Sequence, residues 1–258
     1  MVLAIDIGNT NVVLGGYQNH CLKFSTRFAT ERNFAADQYA LELSGIFQLY
    51  KINPKEITGV VVSSVVPTVT VALVQAVSLL IQVSPIILDS LSDTGIKICI
   101  DNPAELGADL VASAIAVKNS GLLPAVVIDM GTATTLTALD KNGNVQGVAI
   151  MPGVFIGLEA LTGKTSLLQS IALEAPTHAI GKNTIDSMKS GVILGAAAMI
   201  DGMLERFQQE LRQEGNCTFI ATGGIAETVL SHCKQKIILR DNLLLDGLYQ
   251  FYCEQLKK

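Results

Sequence analysis

The chain has 258 residues, of which 49% are hydrophobic and 16% charged, and its formal net charge is −5. This length allows a large buried core in one or two domains. The negative charge, the lack of a basic run and the absence of tryptophan argue against nucleic acid as the main partner. No basic segment precedes an apolar one at the N-terminus, so we predict no secretory signal.

A mean hydropathy of +0.43 raises the question of a membrane span. The stretch from Ile57 to Leu88 carries no charged residue, but prolines and polar residues interrupt it. A spanning helix needs about 20 apolar residues, so we predict a buried strand followed by a core helix, and no membrane association.

The five cysteines are widely spaced, odd in number and form no Cys-x-x-Cys pair. This pattern is typical of reduced thiols in a cytoplasmic protein. The three histidines are scattered, so the sequence predicts no His/Cys metal cluster.

The chain opens with an apolar run, Val2 to Ile5, which reads as a buried strand ending at a carboxylate, Asp6. Gly8 follows, and a second β-rich run extends from Val12 to Tyr17. Between them lie three short polar side chains that can act as donors: Asn9, Thr10 and Asn11. Such a strand-turn-strand suits a nucleotide phosphate with its magnesium ion, although a lone Asp-x-Gly turn is commonly only structural.

The apolar spacing then predicts strands and helices in alternation. Pro67 and Pro103 are each placed to open a helix. The predicted elements are a strand from Cys21 to Phe28, a helix from Asp37 to Tyr50, a strand from Ile57 to Val62, a helix from Thr68 to Val83, a strand from Ile86 to Leu88, and a helix after Pro103.

A second strand-turn-strand begins after Pro124. An apolar strand again ends in Ile-Asp-x-Gly, here Ile128 to Gly131, and two further β-rich runs follow. Because the order of elements also repeats, we predict an internal duplication with domains at 1–120 and 121–258. The two turns, centred on Asp6 and Asp129, would then face each other across an interdomain cleft that could hold phosphates.

Three later stretches complete the pattern. Ala221 to Gly224 ends a strand in two glycines, where the backbone can approach a flat or anionic ligand. A long helix is predicted from Thr184 to Gln213. A neighbouring helix or a second subunit must closely approach its stripe of small residues, which are Gly191, Gly195, Ala198 and Gly202. The closing helix is predicted from Asn242 to Gln255, whereas Gly163-Lys164-Thr165 fails the P-loop spacing.

Asp109 lies near the start of a predicted helix, within Gly107-Ala108-Asp109-Leu110. It is either a solvated acid favoured by the helix dipole, or a general base that takes a proton from a substrate hydroxyl. The residues alone favour the solvated acid.

At these motifs the whole chain resembles the type III pantothenate kinases of bacteria. The matching stretches, in order, are Asp6 to Asn11, Ser63 to Pro67, Asp101 to Pro103, Gly107 to Asp109, Asp129 to Thr134, Met151 to Gly153, Gly181 to Thr184, Ser190 to Gly191 and Ala221 to Gly224. The resemblance implies an α/β fold, a duplicated ribonuclease H-like (actin-like) two-domain architecture with mixed sheets flanked by helices.

The resemblance also implies ATP-dependent phosphorylation of pantothenate in a cytoplasmic homodimer, with Mg²⁺ and a monovalent cation (K⁺ or NH₄⁺). Asp109 would be the general base, Asp6 would organise Mg·ATP, and Asp129 would hold the monovalent cation. The implied ATP residues are Asp6, Ile7, Gly8, Asn9, Thr10, Asn11, Val12, Val13, Thr132, Gly223 and Gly224. The implied pantothenate residues are Ile100, Gly107, Ala108, Asp109, Leu110 and, from the neighbouring subunit, Thr184.

Two positions depart from the family pattern. Ile100 stands where the family usually has a tyrosine, and Leu110 where it has an arginine that would pair with the pantothenate carboxylate. Two alternatives therefore remain: a diverged kinase of the same fold with another acceptor, or a catalytically weak nucleotide-binding regulatory paralogue.

Overall fold

The computed structural model describes residues 1–163 and 171–257. They form two compact units, the first made of Met1–Ile96, Asp101–Asn119 and Leu243–Lys258, the second of Lys97–Ile100 and Ser120–Asn242. Lys164 and Thr165 of the P-loop-like sequence lie outside the described residues.

The first unit is built on a five-stranded sheet with the order β3-β2-β1-β4-β5. The strands β1, β2 and β3 form antiparallel hairpins, while β4 pairs parallel to β1 and β5 parallel to β4. The strands are β1 Val2–Ile7, β2 Asn11–Gln18, β3 Cys21–Ala29, β4 Gly59–Ser64 and β5 Ile86–Leu88. Its helices are α1 Ala36–Leu49, α2 Pro67–Ile81, α3 Ala108–Lys118 and α8 Leu243–Gln255.

The second unit repeats this sheet, with the order β10-β9-β6-β7-β8. Its antiparallel part is β6-β7-β8, and β9 and β10 are the parallel strands. The strands are β6 Ala125–Met130, β7 Ala133–Leu139, β8 Val145–Pro152, β9 Thr218–Thr222 and β10 Ile237–Leu239. The duplicated α/β fold predicted from the two Ile-Asp-x-Gly stretches is therefore confirmed.

The helices of the second unit are α4 Val154–Gly163, α5 Thr184–Lys189, α6 Gly195–Glu210 and α7 Ala226–Leu230. A π-helical segment, Ser190–Leu194, joins α5 to α6, so the predicted long helix is continuous from Thr184 to Glu210. By length and composition alone this stretch could cross a membrane. Its residues Ile193, Ile200 and Leu204 are completely buried in the core of the unit.

The closing helix α8 belongs to the first unit, although its position in the sequence follows the second sheet. Glycines allow α8 to pack closely against the first unit. A Cβ on Gly247 would lie 1.8 Å from the Ala112 carbonyl oxygen of α3. A Cβ on Gly59 of β4 would lie 1.9 Å from the Tyr252 hydroxyl oxygen. The compact units thus differ at the C-terminus from the predicted boundaries 1–120 and 121–258, because the apolar side of α8 packs on the first sheet and α3.

Two further predictions need correction. Pro103 begins a single 3₁₀ turn, Pro103–Glu105, and α3 starts only at Ala108 because Leu106 and Gly107 are extended. In the small-residue stripe, a Cβ on Gly191 or Gly195 would meet nothing within 4 Å among the described residues. Gly191 and Gly195 are therefore not packed against another helix in the described part of this chain.

Candidate functional site

The turn after β1 is closed by backbone hydrogen bonds. The Gly8 amide donates to the Asn11 carbonyl oxygen at 3.0 Å, and a Cβ on Gly8 would lie 3.0 Å from the same oxygen. Thr30, just past the end of β3, supports the turn from outside. Its hydroxyl donates to the Gly8 carbonyl oxygen at 2.7 Å and its amide to the Thr10 carbonyl oxygen at 2.9 Å.

The segment after β3 also brings the positively charged side chain of Arg32 to the turn. The Arg32 guanidinium donates from Nη2 to Asn9 Oδ1 at 3.0 Å, and both side chains are exposed. Neither Thr30 nor Arg32 was predicted from the sequence. The available signal was topological: β3 pairs antiparallel with β2, so its end returns to the beginning of β2 and hence to the turn.

The predicted ATP residues of this turn fall into two groups. Ile7 and Val12 are completely buried in the core of the first unit, so only their backbone atoms could contact a ligand. Asn9 and Thr10 are exposed, and the remainder of the turn is half-buried. Asp6 is buried, with 8% of its surface exposed.

Asp6 is held from the neighbouring parallel strand. In the register of β1 and β4 it lies opposite Ser63, whose hydroxyl donates to Asp6 Oδ1 at 2.6 Å. Because Ser63 has no exposed surface, this hydrogen bond lies inside the unit. It fixes the carboxylate at the end of a strand with little freedom to rotate.

Asp109 is the second residue of α3, and the preceding glycine makes room for its side chain. A Cβ on Gly107 would lie 2.3 Å from Asp109 Oδ1. Asp109 Oδ1 accepts a hydrogen bond from the Leu110 amide at 2.9 Å. The half-buried carboxylate is therefore oriented by its own helix terminus, and in this orientation it occupies space left by the missing side chain of Gly107.

Burial raises the pKa of the Asp109 carboxyl above its ordinary value, and the hydrogen bond from the Leu110 amide opposes that shift. A carboxylate with a raised pKa binds a proton more readily near neutral pH, as a general base must. The structure thus gives physical support to the second interpretation of Asp109.

The other predicted acceptor residues are dispersed. Ala108 and Leu110 are buried in the first unit beside Asp109, with 6% and 9% of their surfaces exposed. Ile100 is half-buried and belongs to the second unit. Thr184 is exposed at the start of α5, where the Asn183 side chain caps the helix by accepting from the Asp186 amide at 2.9 Å.

The turn after β6, at Gly131 and Thr132, lies against two other glycines. A Cβ on Gly153 would lie 2.1 Å from the Thr132 carbonyl oxygen. Gly223 has φ of +108°, and its Cβ would lie 2.5 Å from the Met130 carbonyl oxygen. Backbone therefore packs directly on backbone at this turn, which only glycine permits.

Asp129 has hydroxyl neighbours in the sheet register on both sides. It pairs with Thr135 of β7 and with Thr222 of β9. The Thr135 hydroxyl is buried and has no hydrogen-bond partner in the described part of the chain. Gly224 is exposed in front of α7, which is only five residues long.

Among residues 1–163 and 171–257, no group of three or more His, Cys, Asp or Glu side chains could hold a metal ion. Mg²⁺ bound through nucleotide phosphates needs only one or two protein carboxylates, and a single buried Asp6 fits that requirement. The orphaned Thr135 hydroxyl beside Asp129 fits an oxygen-coordinated cation.

Comparison with known proteins identifies the family. The family model described as type III pantothenate kinase matches residues 2–206. The chain belongs to the type III pantothenate kinase family. Among its relatives, the type III pantothenate kinase of Roseiflexus sp. (strain RS-1) is 38% identical over 98% of each chain. That of Halalkalibacterium halodurans is 37% identical, again over 98% of each chain.

Solved structures show that this type III pantothenate kinase fold is shared more widely. The ethanolamine utilization protein EutJ from Carboxydothermus hydrogenoformans superposes with a TM-score of 0.58 at 14% identity, covering 96% of this chain and 89% of that one. Component A of the Acidaminococcus fermentans (R)-2-hydroxyglutaryl-CoA dehydratase gives 0.50 at 12% identity, covering 100% and 99%. At these identities the likeness concerns the fold alone.

The raised pKa of Asp109 has a consequence for stability. Because the folded-state pKa lies above the unfolded value, the ionised carboxylate destabilises the fold, and this penalty fades as pH falls towards the unfolded value of about 4. Asp109→Asn should therefore raise the Tm near pH 8, by about 2–4 °C for each kcal/mol of penalty removed. The gain should shrink as the pH is lowered.

The measurement is thermal unfolding of both proteins from pH 8 to pH 4. Glu42→Gln, which removes an exposed carboxylate from α1, is the matched control and should leave the Tm difference flat. A Tm that falls in Asp109→Asn by the same amount at every pH would contradict the assignment of a desolvated carboxylate.

Proposed function

We propose that this chain transfers the γ-phosphoryl group of ATP to the primary hydroxyl of pantothenate, the first step of coenzyme A biosynthesis. The family match and the relatives of 37–38% identity support the reaction. The structural observation that carries it is the half-buried, oriented Asp109 carboxylate with its raised pKa. Asp109 accepts the hydroxyl proton as that oxygen bonds to the γ-phosphorus, and the bond to ADP breaks. The step needs no covalent phosphoenzyme.

We assign the ATP phosphates to the turn after β1 and to the glycine-rich turns of the second unit. Asp6 would hold Mg²⁺ through the bound nucleotide, and Asn9, Thr10 and Asn11 would offer side-chain donors. Thr132, Gly223 and Gly224 contribute from the second unit. When bound, Mg²⁺ neutralises charge that develops on the transferring phosphoryl group.

We assign a monovalent cation, K⁺ or NH₄⁺, to Asp129. Two observations support a cation there: hydroxyl residues flank Asp129 in both neighbouring strands, and the buried Thr135 hydroxyl has no hydrogen-bond partner among the described residues. A cation would satisfy that oxygen, since a buried polar atom without a partner is costly.

The acceptor side is the less conventional part of this chain. Gly107, Ala108 and Asp109 supply the proton acceptor and the space beside it, but Leu110 is an apolar, buried side chain. It cannot pair with the carboxylate of pantothenate, and a lost hydrogen bond to a charged group costs about 1.5–3 kcal/mol. We therefore expect weak pantothenate binding, with a carboxylate-free acceptor as the alternative within the same reaction class.

We further propose that the enzyme is a cytoplasmic homodimer in which Thr184 contacts pantothenate bound to the neighbouring subunit. The uncovered stripe at Gly191 and Gly195 supports a close partner, since a Cβ at either position would meet nothing in the described chain. Exposed Ile180 and Ile185 lie near the start of the same helix, with 82% and 50% of their surfaces accessible. All five cysteines are free, in keeping with a reducing compartment.

The proposal predicts ADP release that depends on pantothenate. Purified protein with ATP, Mg²⁺ and K⁺ should form ADP and phosphopantothenate at millimolar pantothenate, and omission of K⁺ should lower the rate. Leu110→Arg should lower the Michaelis constant for pantothenate with little change in that for ATP, because it supplies a charged partner for the acceptor.

Three results would separate the alternatives. Activity with a carboxylate-free analogue but not with pantothenate would favour the diverged kinase. Nucleotide binding without turnover on any acceptor would favour the regulatory paralogue. If light scattering shows that the same preparation is monomeric and it is nevertheless fully active, Thr184 does not need to contact pantothenate bound to a neighbouring subunit.

Gly107 offers a second test of the proton acceptor. Gly107→Ala places a Cβ 2.3 Å from the present position of Asp109 Oδ1, so the carboxylate must move. A displacement of about 1 Å is enough to cost about 10²-fold in turnover. We expect kcat to fall on that scale while the Michaelis constant for ATP is unchanged.

The matched control is Gly45→Ala on α1, where an added Cβ meets nothing within 4 Å and kcat should be unaffected. Wild-type turnover in Gly107→Ala, with the protein folded, would remove the close contact between these two residues from the catalytic account.

A further inference from the structure

Ser63 occupies a position where packing alone would favour an apolar residue. It lies in β4 after three consecutive valines, Val60 to Val62, all with no exposed surface, and is itself completely buried. Burying a hydroxyl is unfavourable unless it is hydrogen-bonded. Here the hydroxyl donates to Asp6 Oδ1 at 2.6 Å, a length typical of a hydrogen bond to an ionised carboxylate.

We propose that Ser63 is a positioning residue for Mg·ATP: its hydroxyl fixes the Asp6 carboxylate in the orientation that receives the nucleotide-bound Mg²⁺. This inference rests on the role proposed for Asp6 and adds the residue that sets its geometry. Ser63 itself touches neither nucleotide nor metal in this account and acts through Asp6.

The second unit places a hydroxyl residue at the equivalent register position. Asp129 lies opposite Thr222 in the register of β6 and β9, as Asp6 lies opposite Ser63 in that of β1 and β4. Thr222 is also buried, with 5% of its surface exposed. A hydroxyl residue across from the carboxylate therefore occurs in both copies of the duplicated sheet, although the Thr222 hydroxyl donates to the Asp241 carbonyl oxygen at 3.4 Å.

The test is calorimetric titration of a nonhydrolysable ATP analogue, with Mg²⁺ and with EDTA. Ser63→Ala should raise the Kd measured with Mg²⁺ by about tenfold, since the hydrogen bond lost is to a charged group. The Kd in EDTA should stay within about twofold, because phosphate contacts made by the turn do not pass through Asp6. Ser63→Thr, which keeps the hydroxyl, should restore the Mg²⁺-dependent affinity.

Ser113→Ala is the matched control, because Ser113 is a buried serine of the same unit whose hydroxyl has no hydrogen-bond partner among the described residues. It should change neither Kd. If Ser63→Ala does not fold, Ser63→Cys keeps the size and weakens the donor, and it should lose part of the Mg²⁺-dependent affinity.

An unchanged Kd with Mg²⁺ in Ser63→Ala, or an equal loss with and without Mg²⁺, would overturn the proposal in favour of a purely structural serine. Asp6→Asn separates this failure from that of the proposed function. If Asp6→Asn loses the Mg²⁺-dependent affinity and Ser63→Ala does not, only the role of Ser63 falls. If Asp6→Asn retains it, the assignment of Asp6 to Mg·ATP falls as well.

Discussion

Burial of the central strand is the constraint on which each unit of this kinase depends. Both β1 and β6 have strands on either side, so their backbone groups are paired and their apolar side chains form the core. A carboxylate near the end of such a strand has little conformational freedom, and the strand register decides which residues flank it. The chemistry of Asp6 and Asp129 thus follows from sheet topology: a turn on one side and a hydroxyl residue from the parallel neighbour on the other.

Glycine is the second means by which the fold builds its site. At Gly107 the missing side chain leaves room for the Asp109 carboxylate, and at Gly153 and Gly223 it lets backbone approach the turn after β6. In the same way, the missing side chains of Gly59 and Gly247 allow α8 to pack closely within the first unit. These positions have different backbone conformations, so close approach explains more of them than the freedom to adopt positive φ.

The duplication could be predicted from the sequence because the two Ile-Asp-x-Gly stretches stand in the same order of strands and helices. The place of α8 could not, because the amphipathic pattern of a helix shows that one side is buried without saying on which sheet. The sequence pattern predicts a helix from Pro103, but Leu106 and Gly107 are extended, so α3 begins at Ala108 and Asp109 lies in its first turn.

Among the site residues, those within the turns were predictable, since carboxylate, glycine and small donors lie close together in the sequence. Thr30 and Arg32 were not singled out, because each reaches the turn through strand pairing rather than through proximity in the chain. Ser63 stands in a stretch that matches the family, but its hydrogen bond to Asp6 follows from the pairing of β1 with β4. Ile7 and Val12 show the converse: they lie within the first motif, yet their side chains serve the core.

The central claim is that phosphate handling and proton acceptance are separate functions of separate residues. The most direct test is to measure, on one preparation of Asp109→Asn, both the turnover of pantothenate and the Kd of a nonhydrolysable Mg·ATP analogue. The account predicts a loss of turnover of at least about 10²-fold, the scale of general base catalysis, with an essentially wild-type Kd. Retained turnover, or a Kd that weakens in step with turnover, would contradict it.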